Sequence, residues 1–193
     1  MIKAIIFDCF GVLTTGTLDI LCSLFPMHCD TIRGRIKTFD LGSWSLEQFA
    51  AVMADITGAS QQDILGEILT ARKISTRNKK LLSEITNLKN EYKIGLLSNI
   101  GERIFEVYFT PEERSNYFDS ITLSYQEKIA KPDPRIYKLA AKRLGVGLDE
   151  CVFVDDKESN VRAAEKLGMK GIVYRDFEYF MQQLNGILGS KNA

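Results

Sequence analysis

The stretch Ile5-Ile6-Phe7-Asp8-Cys9-Phe10-Gly11-Val12-Leu13 decides how the rest of the chain is read. A continuous apolar run closed by an acid and then a glycine is the pattern of a strand buried on both faces, as in a parallel sheet, ending at Asp8. Gly11 lets the backbone turn tightly behind the strand. A carboxylate and several backbone N–H groups can then converge on one small ligand at the carboxyl edge of the sheet. Taken alone, Asp8 serves equally well as a turn former or a helix N-cap.

Downstream of Leu13 the apolar period becomes helical. The spacing predicts short amphipathic helices at about 18–25, 28–39, 46–57 and 61–73. Ser45 with Gln48 has capping-box spacing, Ser60 with Asp63 offers a weaker start, and Gly58 closes the third helix. This block reads as a small helical subdomain inserted after the first strand. The alternative is a set of crossover helices, although one strand-to-strand crossover seldom needs so many residues.

From about residue 75 strand and helix alternate, which implies a parallel sheet with helices on both faces. A helix over 76–91 leads to a strand over 93–97 that ends at Ser98-Asn99, and a helix follows at about 101–108. Thr110-Pro111-Glu112-Glu113 opens another helix, and 120–124 is a strand. Asp133 caps a helix that stops at Gly145, and Cys151-Val152-Phe153-Val154 is a buried strand ending at Asp155-Asp156. A helix from about 158 to Gly168, a strand over 171–174 and a helix over 177–188 complete the chain, which has no internal repeats or low-complexity linkers.

At 193 residues, one sizeable core or one core with a small appended domain is expected. The 25 basic residues balance 25 acidic ones, so the charge points to neither nucleic acid nor an anionic membrane as partner. No apolar run reaches the roughly 20 residues that a membrane helix needs. Met1-Ile2-Lys3-Ala4 runs straight into strand-like sequence without signal-peptide regions, so a cytoplasmic location is expected. Cys9, Cys22, Cys29 and Cys151 form no CxxC pair and are expected to be buried and reduced rather than bridged or metal-bound. His28 is the one histidine, which excludes a multi-histidine metal site.

Three strands thus end in polar residues able to handle a phosphate, namely Asp8, Ser98 and the pair Asp155-Asp156, and Lys131 adds a cation just before a helix. Strand tips of a doubly wound sheet lie along one edge, so residues far apart in sequence can share a crevice. Adjacent aspartates at the end of a buried strand call for a compensating cation.

In these segments the chain resembles the haloacid dehalogenase-like hydrolase superfamily. The resemblance rests on Phe7-Asp8-Cys9-Phe10-Gly11-Val12-Leu13, Leu97-Ser98-Asn99, Lys131-Pro132-Asp133-Pro134-Arg135-Ile136-Tyr137 and Val154-Asp155-Asp156-Lys157-Glu158-Ser159-Asn160-Val161, in the family's order and spacing. It implies a doubly wound, Rossmann-like α/β core with a five-stranded parallel sheet, in which the strands carrying Asp8 and Asp155 are neighbours. The core would comprise 1–14 and 75–193. The helical block at 15–74 sits where one branch of the family carries a small helical cap.

The resemblance further implies a Mg²⁺-dependent phosphohydrolase acting on a small phosphorylated metabolite. Asp8 would be the nucleophile that forms an aspartyl-phosphate, and Mg²⁺ would be held by Asp8, Asp155, Asp156 and the Phe10 backbone carbonyl. Ser98 and Asn99 would bind the phosphoryl oxygens, Lys131 would neutralise charge between the nucleophile and the transferring group, Gly11 would shape the loop, and Asn160 would orient the loop or Asp156.

One position departs from the family pattern. Its phosphatases typically carry a second aspartate two residues after the nucleophile, which protonates the leaving oxygen, and here that residue is Phe10. General acid–base catalysis contributes roughly 10²–10⁴ in rate. Two alternatives are therefore a non-catalytic module that keeps the Mg²⁺ and phosphate site, and a 2-haloacid dehalogenase, for which Arg33 and Arg35 are candidate halide ligands. Phe25, Met27, His28, Phe39 and Trp44 either line the cap or form its core. A monomer is expected, with a cap-mediated dimer as the alternative.

Overall fold

A computed structural model describes residues 1–189. The strands are β1 (Ala4–Phe7), β2 (Lys93–Ser98), β3 (Ser120–Leu123), β4 (Cys151–Asp155) and β5 (Lys170–Val173). They form one five-stranded parallel sheet in the order β3-β2-β1-β4-β5. The winding direction reverses at β1, so the gap between the β1 and β4 tips is the switch point where ligands of such sheets bind. Register places Phe7 opposite Leu96 of β2 and Val154 of β4, so the next residues, Asp8 and Asp155, come out side by side.

All four residues of β1 are buried, and their alternation serves two cores. Ala4 and Ile6 pack with Ile136, Tyr137 and Ala140 on one face, whereas Ile5 and Phe7 belong to the larger cluster on the other. The helices are α1 (Thr17–Leu24), α2 (Cys29–Asp40), α3 (Leu46–Thr57), α4 (Gln61–Ile74), α5 (Lys79–Leu88), α6 (Ile104–Tyr108), α7 (Pro111–Tyr117), α8 (Ser124–Glu127), α9 (Pro134–Leu144), α10 (Glu158–Glu165) and α11 (Phe177–Leu188). No helix among the described residues is long and apolar enough to cross a membrane.

The capping signals work as read. Ser45 N donates to Gln48 Oε1 at 2.9 Å while Gln48 N donates to Ser45 Oγ at 3.2 Å, and Gly58 closes α3 with φ 76°. Asp133 starts α9 by accepting from Arg135 N at 2.9 Å. Boundaries moved where side chains intervene. The helix expected over 76–91 starts at Lys79 because the Asn78 side chain caps it, accepting from Leu81 N at 3.2 Å. The helix expected from about 101 starts at Ile104, after Arg103 takes a left-handed conformation at φ 64°. Ser124, expected to end a strand, opens α8 instead.

The helical block leaves and rejoins the sheet side by side, with Thr15 N donating to Thr76 O at 3.1 Å and Asn78 N to Leu13 O at 2.9 Å. Its buried residues, including Ile32, Phe39, Phe49, Met53 and Ile64, are continuous with the cluster holding Ile5 and Phe7. Phe39 stacks on Phe49 with ring centroids 4.3 Å apart, which makes it core rather than lining. Phe25 and Trp44 are half-buried against the same cluster, and Met27 is exposed.

The cysteine expectation fails for one pair. Cys22 and Cys29 are joined in a disulfide, because the short turn at Pro26–His28 folds α2 back on α1 and brings their Cα atoms to 4.6 Å. Cys9 and Cys151 are free and buried as expected.

Candidate active site

The Asp8 N–H donates to Val154 O at 2.8 Å, extending the β1–β4 pairing to the end of the sheet and fixing where the Asp8 carboxylate emerges. Asp8 Oδ1 accepts from Cys9 N at 2.7 Å and lies 2.8 Å from the Lys131 ammonium. The same ammonium lies 2.7 Å from Asp155 Oδ2, so Lys131 bridges the tips of β1 and β4. All three groups are almost wholly out of solvent: Asp155 is 0% exposed, Lys131 5% and Asp8 6%. Buried charges are tolerated only when paired in this manner.

The surroundings hold each member in place. Asp155 accepts from Asn160 Nδ2 on both oxygens, at 3.1 and 3.0 Å, and from Lys157 N at 2.8 Å. Asn160 thus orients Asp155 rather than Asp156. Its own backbone carbonyl accepts from the buried Tyr137 hydroxyl at 3.0 Å. Asn99 grips the Lys131 backbone from both sides, accepting from its N–H at 2.8 Å and donating to its carbonyl at 2.9 Å, at the cis Lys131–Pro132 peptide. Its side chain, read from sequence as a phosphate contact, is committed to positioning Lys131.

Carboxylate oxygens of Asp8, Asp155 and Asp156 lie within 4.8 Å of one another, an all-oxygen donor set suited to a hard divalent cation such as Mg²⁺. Gly11 makes the third of these possible. It has φ +80°, and a Cβ there would meet Asp156 Cγ at 2.6 Å. Ser98 supplies the complementary feature, since its Oγ is fully buried without a hydrogen-bond partner among the described residues. An unpartnered buried hydroxyl costs about 1–3 kcal/mol, so it marks a place where a ligand oxygen completes the structure.

Burial pushes the Asp8 carboxyl up to about 7, with Lys131 opposing and Asp155 adding to the rise. For Lys131 burial acts downward, yet Asp8 and Asp155 together hold it above the ordinary lysine value. The cluster therefore carries strong internal compensation and accepts further positive charge readily.

Phe10 is half-buried, its ring edge-on to Tyr108 with centroids 5.1 Å apart. Arg33 and Arg35, the candidate halide ligands, are both exposed on α2. Asp40, which the sequence reading did not single out, ends α2 within electrostatic reach of Lys157, Asp8 and Lys131. A signal was present in the pattern: an acid in the last turn of a helix opposes the helix dipole.

Comparison with known proteins supplies an independent view. The family model described as haloacid dehalogenase-like hydrolase matches residues 2–168. The D-ribitol-5-phosphate phosphatase of Bacteroides thetaiotaomicron is 28% identical over 212 residues, covering 98% of this chain and 100% of that protein. Acyl-CoA dehydrogenase family member 10 of Mus musculus is 27% identical over 206 residues covering 97% of this chain, which spans only 19% of that protein. A haloacid dehalogenase family enzyme from Bacteroides thetaiotaomicron, solved with magnesium and inorganic phosphate, superposes with a TM-score of 0.77 at 22% identity, covering 91% of this chain and 95% of that one.

Proposed function

This chain belongs to the haloacid dehalogenase-like hydrolases, and on that premise we propose that it is a Mg²⁺-dependent phosphohydrolase of a small phosphorylated metabolite, working through an aspartyl-phosphate on Asp8. One observation carries the reading: Lys131 bridges the Asp8 and Asp155 carboxylates at the sheet edge where Ser98 ends β2 with a buried hydroxyl unpartnered among the described residues. In this reading a nucleophile, a cation and a hydrogen-bonding group meet at the carboxyl edge of the sheet. The phosphatase relative and the magnesium and phosphate in the structural neighbour support the same chemistry.

The donor set fits a magnesium ion, which Asp8, Asp155, Asp156 and the Phe10 carbonyl would hold. When bound it would offset the repulsion between a phosphate dianion and the attacking carboxylate. The remaining roles belong to the chain. The Asp8 contacts fall on Oδ1, leaving Oδ2 to attack phosphorus. Lys131 favours the ionised form of Asp8 against the effect of burial and counters charge on the transferring phosphoryl group, an electrostatic contribution in a loose transition state. Ser98 Oγ donates to a phosphoryl oxygen. Asn160 and Asn99 keep Asp155 and Lys131 in place.

In this reading 15–74 is a cap over a core made of 1–14 and 75–189, and its closure excludes water from the reaction. The test compares an aryl phosphate, whose leaving group needs little protonation, with a sugar or alkyl phosphate, each with Mg²⁺ and with chelator. Mg²⁺-dependent turnover that vanishes in Asp8→Asn is expected. Turnover of haloacids that survives chelation would replace the reading with a dehalogenase. Mg²⁺ binding without turnover of either ester would replace it with a non-catalytic module.

A further inference from the structure

We propose that Asp40, carried on the last turn of α2, donates the leaving-group proton that the residue at Phe10 cannot supply. The inference rests on the phosphohydrolase reading and names the acid it lacks.

Phe10 leaves no ionisable group at its own position, and its ring is packed against Tyr108 and Gly16. The other polar groups around Asp8 are committed elsewhere. Asp155 is saturated by Lys131, Asn160 and Lys157, and Asp156 belongs to the cation donor set. The Tyr108 hydroxyl pairs with Thr17 Oγ1 at 3.2 Å, and burial pushes it up to about 12, too weak an acid for the task. Asp40 remains.

Its placement is built by tertiary contacts. Asp40 O accepts from Ser124 Oγ at 2.5 Å, and Ser124 Oγ in turn accepts from Ile100 N at 2.9 Å. Only Asn99 separates Ile100 from Ser98, so the end of α2 is tied to the turn that directly follows β2 and its buried hydroxyl. Lys128 Nζ holds Gly42 O at 2.5 Å from the other side. Phe39, the neighbour of Asp40, lies so close to Gly101 that a Cβ there would overlap its ring. The end of α2, and with it the backbone of Asp40, is thereby held at the carboxyl edge of the sheet.

The groups facing it are Lys157 before α10, Lys131 before α9 and Asp8 beyond β1, with Lys37 one turn back on its own helix. Burial lifts the Asp40 carboxyl to about 7, Lys157 opposes the rise, and Asp8 adds to it. A general acid works best with a pKa close to the operating pH. In the first step the bond from Asp8 Oδ2 to phosphorus forms as the bond from phosphorus to the leaving oxygen breaks, and that oxygen takes the Asp40 proton. In the second, the Asp40 carboxylate takes a proton from water as it attacks the aspartyl-phosphate, releasing inorganic phosphate and free Asp8.

The experiment measures first-turnover alcohol release from p-nitrophenyl phosphate and from an alkyl phosphate, with Mg²⁺, across pH, for the unaltered protein, Asp40→Asn, Asp40→Glu and Asp8→Asn. Asp40→Asn should lower alkyl release by about 10²–10⁴ with little change in KM, while aryl release stays within about threefold. The fall in alkyl release above about pH 7 should disappear with it, and Asp40→Glu should restore part of the rate. Alkyl release undiminished in Asp40→Asn, or an equal loss on both esters, overturns the assignment while leaving the phosphohydrolase reading intact. An unaltered protein that releases neither alcohol overturns both.

Discussion

Asn160 Nδ2 donates to both carboxylate oxygens of Asp155, at 3.1 and 3.0 Å, five residues along the chain and across the turn from β4 into α10. The bond sets the orientation of the acid that pairs with Lys131 and belongs to the carboxylate cluster able to hold a cation. Asn160→Ala should therefore weaken Mg²⁺ binding about 10–100-fold, the usual effect of losing a group that orients a metal ligand. The Mg²⁺ concentration for half-maximal activity reads this directly, and an unchanged value would sink the idea.

Ser98→Ala separates stability from function. Removing a buried hydroxyl that has no partner among the described residues should leave the folded state unharmed or more stable by about 1 kcal/mol. Phosphate or vanadate affinity should fall in the same variant. A loss of stability in urea would mean that the hydroxyl is satisfied internally.

Lys131→Met keeps the side-chain stem and removes the charge that pairs Asp8 with Asp155. Two buried carboxylates are left facing each other, so unfolding in chelator should become easier by about 3–5 kcal/mol. Mg²⁺ should then stabilise the variant more than the unaltered protein. Equal stabilisation would show that the ion does not occupy this site.

The Asp40 carboxyl lies at about 7 in the folded chain against an ordinary value of 3.8. Between those values the folded state binds a proton that the unfolded chain has released, so this contribution is fully present below about pH 4 and is lost as pH rises through about 7. Asp40→Asn carries no such proton. Denaturant unfolding of both proteins without Mg²⁺ should show the unaltered protein losing ground to the variant as pH rises from about 4 to about 7, and a difference constant with pH would contradict the shifted carboxyl.

The fold was readable because its signals are local and redundant. The run Ile5 to Phe7, the cap residues Ser45, Asp133 and Gly58, and the repeated alternation of strand and helix after residue 75 each depend on neighbours in sequence. Asp8, Ser98, Lys131 and the Asp155-Asp156 pair were legible for a related reason, since strand ends of a doubly wound sheet share one edge wherever they fall in the chain. What the linear chain could not determine is which groups meet once that edge is assembled. That Asn99 grips Lys131, that Asn160 serves Asp155 rather than Asp156, that Cys22 reaches Cys29 and that Asp40 comes within electrostatic reach of Asp8 all follow from packing between elements distant in sequence. Only the tertiary structure decides them, because burial and proximity, which set both partner and pKa, are properties of the assembled crevice rather than of any stretch of chain.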